Sequence, residues 1–189
     1  MWFQLTDPAD PAHVEMVVDL ARTAVPRCGQ VTVIAIDGLS GSGKTTLAKG
    51  VSDALGAPVV HMDRLYPGWD GLADAVGLLV SQVLEPLARG ERAAYRTWDW
   101  GTDEWNGVDE VPESAVLVIE GCGSSVGAAG DYAAVRVFME APREERIRRG
   151  LERDGEAYRP HWERWAAQEA ELFTRDGTRE AADIVISTG

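Results

Sequence analysis

Residues 31–46 read VTVIAIDGLSGSGKTT and contain the most specific pattern in the sequence. An apolar, mostly β-branched run leads into a glycine-rich loop, which ends in a lysine and two threonines. The loop matches the pattern GxxxxGK[ST], with Gly38, Gly43, Lys44 and Thr45 in the fixed positions. Successive backbone amides can point at one anion only where side chains do not obstruct the turns, and glycine removes that obstruction. The stretch therefore predicts a phosphate-binding loop between a buried strand and a helix.

The polar groups of this loop have specific expected roles. The ammonium of Lys44 would contact the β- and γ-phosphates of a nucleotide, and the hydroxyl of Thr45 would reach Mg²⁺. The N-terminus of the following helix adds about half a positive charge. We therefore expect ATP and Mg²⁺ as cofactors, with the nucleotide bound by Gly38, Ser40, Gly41, Ser42, Gly43, Lys44, Thr45 and Thr46.

Strand and helix patterns alternate along the chain. Continuous apolar runs predict buried strands at 31–36, 58–63, 115–121, 134–140 and 182–187. Helical spacing of apolar residues predicts helices at 11–25, 44–55, 71–89, 142–154 and 160–173, the first ending at Gly29. This alternation indicates an α/β fold with a mainly parallel sheet, in which ligands bind beyond the carboxyl ends of the strands.

Composition limits the class of protein. The chain has 189 residues, of which 45% are apolar, and its net charge is −13. These values fit a single globular domain over 1–189, and the acidic surface argues against nucleic acid as a partner. Without a run of about 18 apolar residues or a basic N-terminal region, we expect no membrane span and no signal peptide. The two cysteines form no CxxC pair, which argues against a zinc site and favours a cytoplasmic location.

Two carboxylates are expected at strand ends on the ligand side of the sheet. Asp63 ends the strand predicted at 58–63, where it could accept a proton from an attacking hydroxyl or help to hold Mg²⁺. Glu120 ends the run VLVIE, where it could bind Mg²⁺ directly or through water. The alternatives are that Asp63 caps a turn or pairs with an arginine, and that Glu120 is a half-exposed acid without a ligand.

The helix predicted at 142–154 is rich in arginine. Arg146, Arg149 and Arg153 are spaced to share one face, which could close over phosphates and stabilise charge during transfer. We therefore predict a lid at about 142–160. The alternative is a solvated helix whose arginines pair with its own glutamates.

The segment 93–105, AAYRTWDWGTDEW, is a candidate acceptor pocket. The faces of Trp98 and Trp100 could hold a flat group, and Asp99 could bind sugar hydroxyls. Packing in the core is the alternative for both tryptophans. We expect core packing for Trp162 and Trp165, and we expect His61 to pack or to form a hydrogen bond.

The phosphate loop, the aspartate of MDRLY (62–66), the EG dipeptide at 120–121 and the arginine-rich helix together resemble the uridine kinase group of P-loop kinases. The resemblance implies a three-layer P-loop NTPase fold with a central five-stranded parallel sheet. It implies that Asp63, Lys44, Arg146, Arg149 and Arg153 are catalytic, that Thr45 and Glu120 serve the metal, and that Tyr66 belongs to the site. From its position at a strand end, Asp63 is also a candidate metal ligand. In 93–105, which corresponds to the nucleoside-contacting segment of the family but lacks its histidine, we expect Arg96, Trp98 and Asp99 to bind the acceptor.

The expected function is ATP-dependent transfer of the γ-phosphoryl group to a hydroxyl of a small molecule, by resemblance a nucleoside. Three alternatives stay open: a nucleoside monophosphate kinase, a kinase of a non-nucleoside alcohol, and a nucleotide-binding switch that transfers nothing. An acceptor with its own phosphate would need a further basic contact, which Arg64 or Arg96 could supply. The expected partner is a small-molecule phosphate acceptor, and we expect binding to neither nucleic acid nor membrane. A homodimer is one assembly compatible with the sequence.

Overall fold

The computed structural model describes residues 8–156 and 159–189. Its helices are α1 (Pro11–Thr23), α2 (Lys44–Leu55), α3 (Leu72–Leu79), α4 (Glu85–Ala88), α5 (Ala128–Tyr132), α6 (Arg143–Asp154) and α7 (Arg159–Asp176). Its strands are β1 (Thr32–Gly38), β2 (Val59–His61), β3 (Ala94–Asp99), β4 (Glu104–Glu110), β5 (Val116–Glu120), β6 (Ala133–Glu140) and β7 (Ile184–Ser187). Within the described ranges no helix is both long and apolar enough to cross a membrane.

Five strands form one parallel sheet in the order β2-β5-β1-β6-β7, which confirms the predicted fold class. In register, Ile36 of β1 lies opposite Glu120 of β5, and Glu120 lies opposite His61 of β2. The three strands therefore end at the same level. The loops that follow them meet at one edge, where a parallel sheet places its ligands.

The two faces of the sheet are covered by different helices. Ile34 and Ile36 pack with Val17 of α1 and Leu47 of α2 in one apolar cluster. Alternate residues of β1, such as Val33, belong to a second cluster that contains side chains of α3 and α7. Every residue of β1 is buried, as expected for a central strand covered on both faces.

Several predicted boundaries differ from the observed ones. Helix α1 ends at Thr23 and not near Gly29, and Val25 is 79% exposed. The physical reason is Pro26, because a residue that precedes proline is driven out of the helical conformation. The strand predicted at 58–63 stops at His61, and Met62–Arg64 form a 3₁₀ turn.

Within the helix predicted at 71–89, residues 72–88 are helical, and a π-helical stretch at Val80–Leu84 separates α3 from α4. The main element that the sequence did not predict is the antiparallel hairpin of β3 and β4. The residues of β3 alternate between exposed and buried over most of the strand. Strand β4 contains Gly107 and several charged residues, so its sequence lacks the composition typical of strands.

Candidate functional site

The loop between β1 and α2 is compact because glycines let it approach neighbouring backbone. Gly38, Gly41 and Gly43 have positive φ angles of 125°, 78° and 94°. A Cβ atom on Gly38 would lie 2.0 Å from the carbonyl oxygen of Met139, and one on Gly41 would lie 2.4 Å from that of Arg146. The loop is thus pressed against β6 and α6, and Gly38 and Gly41 are required by packing as well as by conformation.

Lys44 is buried at the centre of the loop and bonds to the loop itself. Its Nζ donates to the carbonyl oxygens of Gly38 at 2.8 Å and Leu39 at 2.9 Å. Desolvation lowers the pKa of this ammonium, but nearby Cys122, Glu169, Glu120 and Asp37 together raise it above its ordinary value. The lysine therefore carries its charge at neutral pH and can offer it to a phosphate group.

Asp37, in β1 directly before the loop, ties the start of the loop to residues 123–125. The carboxylate is fully buried and accepts hydrogen bonds from the amides of Gly38, Gly123 and Ser125 and from the Ser125 hydroxyl. Burial raises the pKa of this carboxyl, and the four donors counteract the rise. Asp37 is not among the site residues predicted from the sequence, although an acid at the end of an otherwise apolar strand is a usable signal.

Thr45 and Glu120 lie together at the edge of the sheet. The Thr45 hydroxyl is 3.3 Å from both carboxylate oxygens of Glu120, which is 3% exposed. His61 Nδ1 lies 2.6 Å from Glu120 Oε1, so the predicted hydrogen bond of His61 is confirmed and it orients the carboxylate.

These two residues fit a magnesium ion that is shared with a nucleotide. Among the described residues no group of three or more His, Cys, Asp or Glu side chains could hold a metal ion. Mg²⁺, however, is usually held by one or two carboxylates plus substrate phosphates and water. A hydroxyl and one buried carboxylate beside the phosphate loop match that donor set.

Asp63 lies in the 3₁₀ turn one step beyond β2, with its main chain held by the hairpin. The indole Nε1 of Trp100 donates to the Asp63 carbonyl oxygen at 2.8 Å. Tyr66, three residues after Asp63, is 2% exposed and donates a hydrogen bond from its hydroxyl to the Cys122 carbonyl oxygen at 2.9 Å. The turn that carries Asp63 is therefore tied both to β3–β4 and to the loop after β5.

Two cavities meet at Asp63. The first, of about 880 Å³, runs along the phosphate loop and α6 and reaches Trp69 and Trp165. The second, of about 580 Å³, lies between the hairpin and the ends of β2 and β5. The residues that line both are Thr45, Asp63, Trp100 and Glu120.

The aromatic residues at the far end of the first cavity pack edge to face. Ring centroids of Trp69 and Trp100 are 4.9 Å apart, and those of Tyr66 and Trp165 are 4.8 Å apart. Trp69 also stacks on His161 of α7 at 4.3 Å. Trp165 is 5% exposed, so the core packing predicted for it is confirmed, although its edge also lines the cavity.

Only part of the predicted acceptor set faces a cavity. Trp98 and Asp99 line the second cavity, where Asp99 accepts from the Gly101 amide at 2.8 Å and shapes the hairpin turn. That bond, first among several, lowers the pKa of the Asp99 carboxyl. Arg96 instead lies on the exposed outer face of β3, with its guanidinium 4.7 Å from the ring centre of Trp105. Its predicted contact with the acceptor has no support in this geometry.

The three arginines predicted to share a lid face have different environments. Arg146 is 8% exposed, and its guanidinium lies 5.3 Å from the Trp162 ring, behind the phosphate loop. Arg149 lines the first cavity and donates to Thr188 Oγ1 at 3.0 Å. Arg153 is exposed and also lines that cavity. The prediction that Arg146 closes over phosphates therefore conflicts with its buried position. Residues 157 and 158 of the predicted lid lie outside the described residues.

The family to which this chain belongs follows from its match to a known family profile. The profile of the AAA_18 family, described as an AAA domain, matches residues 34–174, which include the phosphate loop, Asp63, Glu120 and α6. The chain belongs to this family. This match confirms the resemblance to P-loop kinases that the sequence implied.

Two relatives of this P-loop kinase domain are informative. A cytidylate kinase from Ignicoccus hospitalis is 29% identical over 166 residues, covering 84% of this chain and 90% of that protein. A structure from Bacillus stearothermophilus, described as a possible uridine kinase, superposes with a TM-score of 0.66 at 21% identity. The superposition covers 93% of this chain and 97% of that chain, and it shows that the fold is shared from end to end.

The two thiols of this P-loop kinase domain are expected to be unreactive. Cys28 and Cys122 are 0% and 3% exposed, and burial raises the pKa of Cys28 to about 11 and that of Cys122 further. At pH 8 a rise of two pKa units lowers the thiolate fraction about 100-fold. Labelling of the native protein by an aromatic disulfide should be slower than labelling of the denatured protein by at least that factor. Rapid native labelling of either cysteine would contradict the described burial.

Proposed function

We propose that this protein transfers the γ-phosphoryl group of ATP to the hydroxyl of a small, phosphate-free acceptor. The observation that carries the proposal is the meeting of two cavities at one carboxylate. Lys44, Thr45 and the loop amides line the first cavity, and Asp63 stands where that cavity joins the second. Phosphoryl transfer needs this arrangement, with a donor site and an acceptor site that share a base.

Each polar group at the junction has a proposed task. Asp63 accepts the proton of the acceptor hydroxyl as oxygen attacks phosphorus. Lys44 releases its own loop carbonyls and binds the β- and γ-phosphates, while Arg149 and Arg153 supply positive charge along the same cavity. Mg²⁺, held by Thr45 and Glu120, would neutralise charge on the transferred group.

The charges around the junction support an acceptor without a phosphate of its own. Arg64 and His61 are the basic residues in the described lining of the second cavity, but Arg64 Nε lies 2.7 Å from Asp109 Oδ2 and His61 Nδ1 lies 2.6 Å from Glu120 Oε1. Arg96 lies on the outer face of the hairpin. A phosphomonoester would bring about two negative charges next to Asp63, where the described basic groups of the second cavity are already paired with carboxylates.

The walls support an acceptor with a flat or apolar part. At the junction, Trp100 lines both cavities, with Trp69 on one side and Trp98 on the other. Tryptophan faces bind flat groups well because they combine a large apolar area with a fixed orientation. A nucleoside satisfies these conditions, and so does an aromatic or alicyclic alcohol.

We expect a nucleoside to be phosphorylated much faster than its own 5′-monophosphate. The experiment compares acceptor-dependent ADP release for matched pairs, such as cytidine with CMP and uridine with UMP, and for a panel of aromatic and alicyclic alcohols. A kcat/KM at least tenfold higher for one phosphate-free acceptor than for any monophosphate would support the proposal.

The opposite preference would contradict the phosphate-free acceptor and favour a nucleoside monophosphate kinase, the activity named for the Ignicoccus relative. Two variants test separately whether turnover of a monophosphate uses a basic contact. If monophosphate turnover depends on a basic contact at the junction, Arg64→Ala should abolish it, whereas Arg96→Ala, on the outer face of the hairpin, should leave it unchanged. Nucleotide binding without turnover of any acceptor would instead favour a switch protein.

A further inference from the structure

One residue of the phosphate loop, Ser40, has both of its backbone groups bound by charged side chains. Its amide donates to Glu169 Oε1 at 2.7 Å, and its carbonyl oxygen accepts from Arg146 NH1 at 3.2 Å. Glu169 belongs to α7 and Arg146 to α6, so two helices distant in sequence act on the same residue of the loop.

The two charged groups are themselves buried together. Glu169 is 1% exposed, Arg146 is 8% exposed, and Glu169 Oε2 lies 3.8 Å from Arg146 NH1. Within the described part of the chain, Oε2 forms no hydrogen bond, whereas Oε1 also accepts from Trp165 Nε1 at 3.1 Å and from the thiol of Cys122 at 3.0 Å. A buried pair with such incomplete bonding adds little stability, and replacing both of its members with apolar residues of similar volume is often neutral or stabilising.

The residues around the pair pack closely against the phosphate loop where it faces α6. Arg146 also donates from Nε to the Ala141 carbonyl oxygen at 3.2 Å, which fixes the guanidinium at the start of α6. The backbone of Arg146 comes so close to Gly41 that a Cβ atom there would lie 2.8 Å from the Arg146 Cα. Glu169, Arg146 and the glycine contact therefore hold the outer half of the loop, while Asp37 holds its base.

We propose that Glu169 and Arg146 form a clamp on Ser40 that keeps the phosphate loop in its nucleotide-binding conformation. They are positioning residues, because neither lines the described cavities and each acts through the loop backbone. The clamp explains why an incompletely bonded carboxylate is placed beside an anion-binding loop, where its charge would otherwise oppose binding. The proposal rests on the nucleotide site of the proposed function and not on its acceptor.

A clamp of this kind has a specific kinetic consequence. If the loop is in the binding conformation only a fraction of the time, the apparent Kd for nucleotide rises by the inverse of that fraction. Once nucleotide is bound the loop is ordered, so kcat at saturating ATP changes little. Loss of the clamp should therefore weaken ATP binding and raise the KM for ATP without a matching loss of kcat.

The test uses Glu169→Leu, which removes charge and acceptor oxygens at similar volume, and Glu169→Gln, which keeps one acceptor oxygen. The matched control is Glu171→Leu, the same change two residues away at a side chain that is 77% exposed. Three quantities are measured: the Kd for ATP by calorimetry without acceptor, hydrogen exchange of the Ser40 amide, and the free energy of unfolding.

We expect Glu169→Leu to raise the Kd for ATP about tenfold or more, corresponding to a loop that is competent about one-tenth of the time. Exchange of the Ser40 amide should accelerate, and the free energy of unfolding should fall, because the buried Arg146 guanidinium loses its carboxylate partner. Glu169→Gln should recover most of the binding, and Glu171→Leu should match the unchanged protein in Kd and in exchange.

Two results would overturn the clamp. The first is a folded Glu169→Leu protein with unchanged Kd and unchanged Ser40 exchange. The second is a Kd that rises only by the fraction of protein that is unfolded under the assay conditions. Failure of the unchanged protein to bind ATP would overturn both the clamp and the proposed function. ATP binding that weakens in Glu169→Leu, in a protein that phosphorylates no acceptor, would support the clamp and contradict the proposed function alone.

Discussion

Replacing Asp63 with asparagine is expected to lower kcat by about 10²–10⁴-fold, the usual contribution of a positioned general base. The amide has nearly the same shape as the carboxylate but cannot take the proton of an attacking hydroxyl. The main chain of Asp63 is held by Trp100, so the turn should keep its position in the variant. Nucleotide binding should change by less than about threefold, because Lys44 and the loop amides remain intact.

The measurement is acceptor-dependent ADP release with the fastest acceptor found, together with calorimetric titration of ATP. Asp53→Asn is the matched control, because Asp53 is an exposed residue of α2 that pairs with Lys49 at 2.5 Å, away from both cavities. Asp63→Asn with kcat within fivefold of the unchanged protein would show that another group accepts the proton.

Replacing Gly38 with alanine is expected to have the largest effect on stability of any single methyl addition in the loop. The residue has a φ of 125°, and the new Cβ would lie 2.0 Å from the Met139 carbonyl oxygen. Left-handed backbone costs a side chain about 1–2 kcal/mol, and forced repacking of a rigid core costs about 1–3 kcal/mol more. A total loss of roughly 2–5 kcal/mol would be a large part of a typical domain's stability.

Chemical denaturation measures this loss, and Gly77→Ala provides the comparison. Gly77 lies in α3, where an added Cβ meets nothing within 4 Å. That change should stabilise the protein by about 0.5–1 kcal/mol, because alanine favours the helix. Equal effects at the two positions would contradict the close approach of β1 to β6 at the phosphate loop.

Much of the fold could be predicted because its signals are local. The β-branched run before the glycine loop, and the apolar run that ends at Glu120, specify buried parallel strands directly. The αL residue Gly56, at the C-terminus of α2, marks a helix end that the sequence also located. The hairpin of β3 and β4 could not be predicted in this way, because a two-stranded ribbon depends on partners elsewhere in the fold.

In the candidate site, too, some residues could be predicted from the sequence and others could not. Thr45 and Glu120 could be paired from their positions at strand and helix ends, since the sheet topology alone brings those ends together. Arg146 could not be assigned correctly from its helical spacing. The spacing places it with Arg149 on one face, but the burial of Glu169, 23 residues further along the chain, draws it behind the loop. Pairing between distant helices leaves no periodic signal in a single sequence.

The most direct test of the account is a crystal structure with a non-hydrolysable ATP analogue and Mg²⁺. We expect the terminal phosphates on the backbone amides of residues 41–46, with the Lys44 ammonium moved from the Gly38 and Leu39 carbonyl oxygens onto them and the Asp63 carboxylate facing the γ-phosphate. A nucleotide bound elsewhere, or an Asp63 side chain turned away from the γ-phosphate, would contradict the central claim that this loop and this carboxylate form one phosphoryl-transfer site.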